Sequence, residues 1–259
     1  MRSLAPRHPV ACAAMIVVLS CGEVPTFADG IAYVSAIELP SIAVGAGDQL
    51  RDSAGNPAPL RVRAFDKDNQ LVPGVSATFL VSPVDAGVRI DANGFLSVSD
   101  SVRTVRVVAR IGDRLQTAEA VLFVVPAPDQ IVGAATTDSL PGAPAKGTLQ
   151  VTVTGTRGST RLPTQGIVVR YQIVAVNGNP AVDSARVFLV DDANTPLRNS
   201  ATTAIDTTDV SGVARRFVTV SDTTGIRTIE IRATARPLRA AATIVGNPVR
   251  FLIPLKKGP

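Results

Sequence analysis

The chain has 259 residues, a formal net charge of +5 and a 46% apolar composition with little aromatic content. Its single histidine is His8, Trp is absent, and the only cysteines are Cys12 and Cys21. Beyond residue 20 a histidine-dependent catalytic triad, a zinc site of His and Cys ligands and an intrachain disulfide are therefore all excluded.

The chain opens with Arg2, Arg7 and His8, continues with an apolar run from Val10 to Leu19, and reaches Ser20 and Cys21. That order is the order of a secretory signal, and the apolar run is too short to span a bilayer. Val18-Leu19-Ser20-Cys21 resembles a bacterial lipobox. The resemblance implies that residues 1–20 are a lipoprotein signal peptide and that Cys21 is lipidated. The alternative is an ordinary signal peptide with Cys21 as a bystander. Stable attachment by acyl chains needs more than one chain, at ~0.8 kcal/mol per buried methylene. Lipoproteins of this kind carry two or three, so the anchor would be lasting. Gly22 in place of an Asp leans towards the outer membrane.

Removing residues 1–20 leaves 24 basic against 21 acidic residues. That mild excess is not the footprint of a nucleic-acid binder. Residues 21–30 read as a tether. From Ile31 onwards, short runs rich in Val, Ile, Thr and Ala alternate with Gly, Pro, Asn and Asp, with a period of two. That pattern predicts strands and turns, with no sustained helical period.

The first domain is expected over residues 31–125. Ser35 to Leu39 reads as a strand ended by Pro40. Leu60, Val62 and Ala64 alternate with polar neighbours, as do Val75 to Ser82 and Thr104 to Ile111. Asp91-Ala92-Asn93-Gly94 reads as a hairpin, because Asn-Gly tolerates positive φ. A last strand covers Thr117 to Val125. Pro126-Ala127-Pro128 is the expected linker, extended and stiff. The second domain is expected over residues 129–255. Strands are predicted around Leu149–Thr154, Ile167–Ile173, Val213–Val220, Ile226–Ala235 and within Ala240–Ile253. Tyr171 falls on an inward-looking alternation.

Two sets of motifs carry a family resemblance. Thr208-Asp209-Val210-Ser211-Gly212-Val213-Ala214, then Thr224-Gly225, then Thr228-Ile229-Glu230-Ile231-Arg232-Ala233-Thr234-Ala235 resembles the closing half of a bacterial immunoglobulin-like domain of the invasin and intimin type. Ala43-Val44-Gly45, Asp91-Ala92-Asn93-Gly94-Phe95 and Val105-Arg106-Val107-Val108-Ala109 make the first domain similar to the second bacterial Ig-like group. The resemblance implies an all-β chain of two tandem antiparallel Ig-like sandwiches. It implies a fold, not an activity. Residues Asn177 to Thr207 depart from the pattern as an expanded middle containing one short extra strand, Val187 to Val190.

Several residues invite chemistry. Asp66, Asp68, Asp91, Asp191 and Asp192 could offer oxygens to Ca²⁺, but Asp and Asn also cap turns, and the turn reading is preferred. Arg61, Arg63, Arg106 and Arg110 would form a basic patch if their strands were neighbours; a solvated face interspersed with acids is preferred. Loops at the ends of Ig-like sandwiches usually carry recognition. Asp191, Asp192, Asn194 and Arg198 in the expanded middle are therefore the candidate partner-binding loop; the alternative, slightly preferred, is a mobile insertion with no partner. The expectation is a non-catalytic envelope or surface lipoprotein, without cofactor or metal. It is held to the membrane by its N-terminal lipid and acts as a stalk or a protein-binding, adhesion-like module with a protein partner and no nucleic acid. The alternative is a periplasm-facing structural subunit of an envelope assembly. Replacing Cys21→Ser should release the protein from membranes or leave it unprocessed; unchanged membrane association with an unchanged N-terminal mass would refute the anchor.

Overall fold

The computed structural model describes residues 30–134, 140, 145–180, 186–191, 202–222, 224–239 and 242–256. Every regular element among them is a strand. In the first half these are β1 (Tyr33–Val34), β2 (Ala43–Gly45), β3 (Ala64–Phe65), β4 (Leu71–Val72), β5 (Thr78–Val81), β6 (Val88–Ile90), β7 (Leu96–Val98), β8 (Arg103–Ile111), β9 (Leu115–Gln116) and β10 (Ala120–Val125). They form the sheets β1-β3-β4, β2-β10-β8-β5 with β9 on β8, and β6-β7. The alternation predicted for Thr104–Ile111 appears as buried Val105, Val107, Ala109 and Ile111 against exposed Thr104, Arg106 and Arg110. Val105, Val107 and Ala109 join Val44, Leu50, Leu60, Leu96, Leu122 and Val124 in one core, while Ile111 packs with Ile31 and Ala64 in a smaller cluster.

The antiparallel expectation has an exception in this half. β2 runs parallel to β10, with Phe123 opposite Ala43 and Val125 opposite Gly45. The strand expected over Ser35–Leu39 is also broken. β1 ends at Val34, and only a single bridge, Glu38 to Arg61, continues its sheet. After Glu38 the chain passes Pro40, which cannot donate to a ladder, and changes sheets. It then enters the second sheet in the direction of β10.

The second half contains β11 (Pro128–Gly133), β12 (Ala145–Arg157), β13 (Thr160–Pro163), β14 (Val168–Val176), β15 (Asn179–Pro180), β16 (Val187–Val190), β17 (Thr203–Thr207), β18 (Val213–Val220), β19 (Thr228–Ala235) and β20 (Val249–Pro254). One sheet runs β11-β12-β18-β16 with β13 on β12; the other runs β15-β14-β19-β20 with β17 also on β14. Leu149, Val151, Val153, Val218 and Val220 from the first face Val169, Ile173, Ile229, Ile231, Phe251 and Ile253 from the second. Tyr171 is fully buried on β14, and its hydroxyl donates to the Ala214 carbonyl on β18 at 2.9 Å. That bond satisfies the one polar atom of the ring and ties the two sheets together. Burial pushes the Tyr171 phenol well above its ordinary pKa, with the Asp206 charge acting in the same direction.

The expanded middle is not a plain loop. β15, β16 and β17 all lie within it and pair with β14 or β18. Val187, Leu189 and Val190 are buried, so β16 belongs to the core. The turn that opens the segment is the tight one: Asn177 and Gly178 both have positive φ, 53° and 78°. That is the two-residue hairpin geometry favoured for Asn-Gly. At Asn93-Gly94, by contrast, only Gly94 has positive φ.

The Asp91 connection follows another rule, which recurs four times. Asp52, Asp66, Asp91 and Asp209 each open a five-residue turn. One carboxylate oxygen accepts the backbone N–H groups two and four residues on, at 2.8–3.0 Å. The Asp carbonyl accepts the N–H three residues on, and the Asp N–H donates to the carbonyl four on. The fourth residue of each turn, Gly55, Asn69, Gly94 or Gly212, has positive φ. Only Gly, or Asn at a cost, sits easily there.

Gly212 carries a second demand. A Cβ there would run into the Val153 carbonyl, whereas one on Gly158, also at positive φ, would meet open space. Gly158→Ala should thus cost about 1 kcal/mol, the left-handed penalty alone. Gly212→Ala should cost at least about 2 kcal/mol more, since backbone must move. Thermal unfolding of both variants checks this; equal costs would contradict it.

Candidate functional site

Of the residues singled out in the sequence, Cys21, Asp192, Asn194 and Arg198 lie outside the described residues. Asp191 is half-buried directly after β16. The basic patch does not assemble: Arg61 and Arg63 sit beside the β1-β3-β4 sheet, whereas Arg106 and Arg110 sit on β8 in a different sheet. Three of the four have local partners: Arg63 pairs with Glu38 at 2.7 Å, Arg106 with Glu119 at 3.0 Å, and Arg110 donates to Gln116 at 3.3 Å. The Asp66 and Asp91 carboxylates face turn amides, as described above. Among the described residues no three His, Cys, Asp or Glu side chains converge.

A groove of about 470 Å³ opens between β5 and β6. Phe79, Leu80, Val81, Val88 and Ile90 line it, with Arg110, Gln116 and Glu119 at the rim. Half of its lining is strand hydrophobes, and the rest includes Ser82 and Asp85.

The most built-up arrangement of charge lies where the two halves meet. Only Pro126 and Ala127 separate β10 from β11. Gly155 permits this, because a Cβ there would collide with the Ala127 carbonyl. The two halves then pack. Ala43 and Val125 from the first are buried within the core cluster of the second, with Phe123 and Leu238 against it. Gly166 faces Ala43 so closely that an added Cβ would stand 2.9 Å from the alanine methyl.

Polar contacts surround this apolar seam. Asp48 accepts from Arg51 within its own half and from Arg239 Nε across the seam, at 2.7 Å. The Asp48 side chain is only 10% exposed, so these charges hold it in place of water. Arg236 donates to the Asp52 carbonyl. Arg157 donates to the Asp100 carbonyl at 2.6 Å. The pattern has a cause in composition. Residues 21–125 carry 9 Lys and Arg against 12 Asp and Glu, whereas residues 126–259 carry 15 against 9. Acidic loops of the first half meet arginines of the second. Nothing in the sequence marks these residues, since each reads alone as a solvated charge.

The electrostatics agree with the geometry. Burial acts to raise the Asp48 pKa, but hydrogen bonds from Arg51, the Gln49 amide and Arg239 outweigh it and hold the carboxyl below the usual 3.8. Asp52 is also held low, first by the Asn56 amide. Burial lowers the Arg236 pKa, partly countered by the Asp52 charge.

No protein-family model matches the chain, and no curated protein matches it. Among solved structures, it is similar to the Yersinia pseudotuberculosis adhesin InvE at 18% identity and TM-score 0.38, over 86% of this chain and 59% of that one. Domains 4 and 5 of the S-layer protein SbsC are 14% identical at TM-score 0.32, over 87% of this chain and all of that one. The D0-D1 domain of intimin is 16% identical at TM-score 0.28, over 86% and 99%. Among the described residues the regular structure is all-β, arranged as two sandwiches in tandem.

A depressed carboxylate pKa stabilises the folded arrangement above the unfolded value, and that stabilisation is lost as pH falls through the folded value. The Asp48 contribution should therefore be complete at neutral pH and disappear only below the ordinary aspartate range. Asp48→Asn at pH 7 should mimic the acid effect. Hydrogen exchange is expected to quicken in residues 42–48 and 236–239 and stay unchanged in the β19 core, residues 229–235. Unaltered exchange at the seam would contradict this role.

Proposed function

We propose that this chain is a non-catalytic, lipid-anchored protein of the bacterial envelope or cell surface, whose two Ig-like sandwiches form a stiff stalk or adhesion-like module. The seam carries the reading. A two-residue connection, a shared apolar contact and ion pairs on its rim hold one sandwich against the next, as a strut requires. A freely jointed pair would need none of them. Domains in one chain move relative to each other unless the contact between them is well built. The predicted leader and Cys21 supply the attachment, and the outer membrane is the location that Gly22 favours. The stalk would present its far end, the second sandwich, to a protein partner. The Asp191, Asp192, Asn194 and Arg198 segment is the proposed contact loop.

Protease treatment of intact cells, followed by detection of fragments, tests the location. Cleavage of the wild-type chain with retention of a Cys21-containing stub in the membrane is the expected result. Full protection in intact cells, together with co-purification with envelope machinery, would replace this reading with that of an internal accessory subunit.

A further inference from the structure

The second sandwich turns one sheet face outward with an unusual arrangement of charge. On β14, β19 and β20 the inward residues are Val169, Tyr171, Ile173, Ile229, Ile231, Ala233, Phe251 and Ile253. The opposite parity presents Arg170 and Gln172 from β14, Glu230, Arg232 and Thr234 from β19, and Arg250 and Leu252 from β20. Gln172 stands opposite Arg232, and Arg232 stands opposite Arg250. Arg170 lies one row away, opposite Thr234. Three arginines thus follow each other across three adjacent strands. Neighbouring strands are about 4.8 Å apart.

Like charges directly opposite one another destabilise a sheet, and this face answers that with a single acid. Glu230 accepts from Arg232 at 3.3 Å through one oxygen and from Arg250 at 2.8 Å through the other. The Glu230 side chain is only 14% exposed beneath them, whereas Arg232 and Arg250 are more than half exposed. Hydrogen bonding from Arg250, against the opposing effect of burial, keeps the Glu230 carboxyl below its ordinary pKa. The glutamate therefore fixes two guanidinium groups side by side and leaves their other N–H groups facing outward. Arg170 is exposed and has no partner among the described residues. The face keeps a surplus of two positive charges, in the half of the chain that carries the basic excess.

We propose that this face of the β14-β19-β20 sheet docks a linear polymer bearing sulfate or phosphate groups, laid across the strands. A guanidinium offers paired N–H donors that match the oxygens of such groups. Two of them directly opposite one another, with the third one row away, suit a chain with closely repeated charges. Gln172, opposite Arg232, and Thr234, opposite Arg170, add neutral hydrogen-bonding groups for the polymer backbone. No aromatic side chain stands among them to insert into a bilayer, which favours a polymer over a lipid surface. This inference does not depend on the stalk reading.

The test uses the full chain purified in detergent and heparin as the sulfated probe, with polyphosphate as the phosphate-bearing one. Binding to at least one is expected, with a log–log salt slope of about −2 to −3 for three engaged charges. Arg170→Gln alone, which removes no internal contact, should weaken binding several-fold. Arg170→Gln, Arg232→Gln and Arg250→Gln together should weaken it at least tenfold, with the unfolding midpoint measured in parallel. Arg106→Gln with Arg110→Gln, on the first sandwich, should leave binding within twofold. The proposal is overturned if wild type binds neither polymer, if Arg170→Gln binds as wild type does, if the Arg106/Arg110 variant loses as much, or if phosphatidylglycerol vesicles bind while both polymers do not.

Discussion

Much of the architecture depends on one local interaction: an aspartate carboxylate accepting the amides of the turn it opens. Strands of two to four residues cannot hold register by ladder bonds alone, and the first half is made largely of such strands. With no disulfide available after residue 20, turn geometry must fix where each strand starts. At Asp52, Asp66, Asp91 and Asp209 the carboxylate satisfies two turn amides at once, and the residue with positive φ closes the bend. The Asp66 turn sets Phe65 opposite Leu71, and the Asp91 turn sets Ile90 opposite Leu96. The Asp209 turn carries the chain from β17 in one sheet to β18 in the other. A slip of one residue at any of these points would turn apolar side chains to solvent.

Given fixed registers, the two cores follow from alternation, and the seam follows from the cores. β10 ends with Val125 buried against the second sandwich, and β11 begins two residues later. That brevity leaves the halves little freedom. Asp48, Asp52 and Asp100 then come within reach of Arg239, Arg236 and Arg157. Exposed ion pairs are individually weak. Asp48 is nearly buried and held by two arginines, so it contributes specificity of alignment more than net stability. The excess of acid in one half and of base in the other gives the seam its complementarity and leaves arginine to spare on the outer face of the second sandwich.

Sequence pattern marks the long strands of this chain and not the short ones. The period-two pattern gave β8, β12, β14, β18 and β19, because a half-buried strand imprints its two faces on the sequence. Tyr171 was legible as inward for the same reason. Asn177 to Thr207 was less legible. The sequence of β16, Val-Phe-Leu-Val, is apolar at every position, so its place in the core could not be read from period. The parallel pairing of β2 was hidden as well, since three residues carry no direction. Of the residues expected to bind a partner, Asp191 falls among those described, half-buried directly after β16.

By itself the sequence determined the class of fold, the absence of any histidine or disulfide chemistry after residue 20, and the turns, because those depend on residue types close together along the chain. The turn aspartates could be assigned to backbone amides for the same reason: donor and acceptor are four residues apart or fewer. Only the tertiary structure decided that Arg61 and Arg106 lie in different sheets, that Asp48 meets Arg239 across 191 residues, and that Arg170, Arg232 and Arg250 share one face. Those groupings arise from strand order and sheet packing. Long-range charge pairs leave no periodic trace, so identical composition would serve equally well for a scattered, solvated set of arginines.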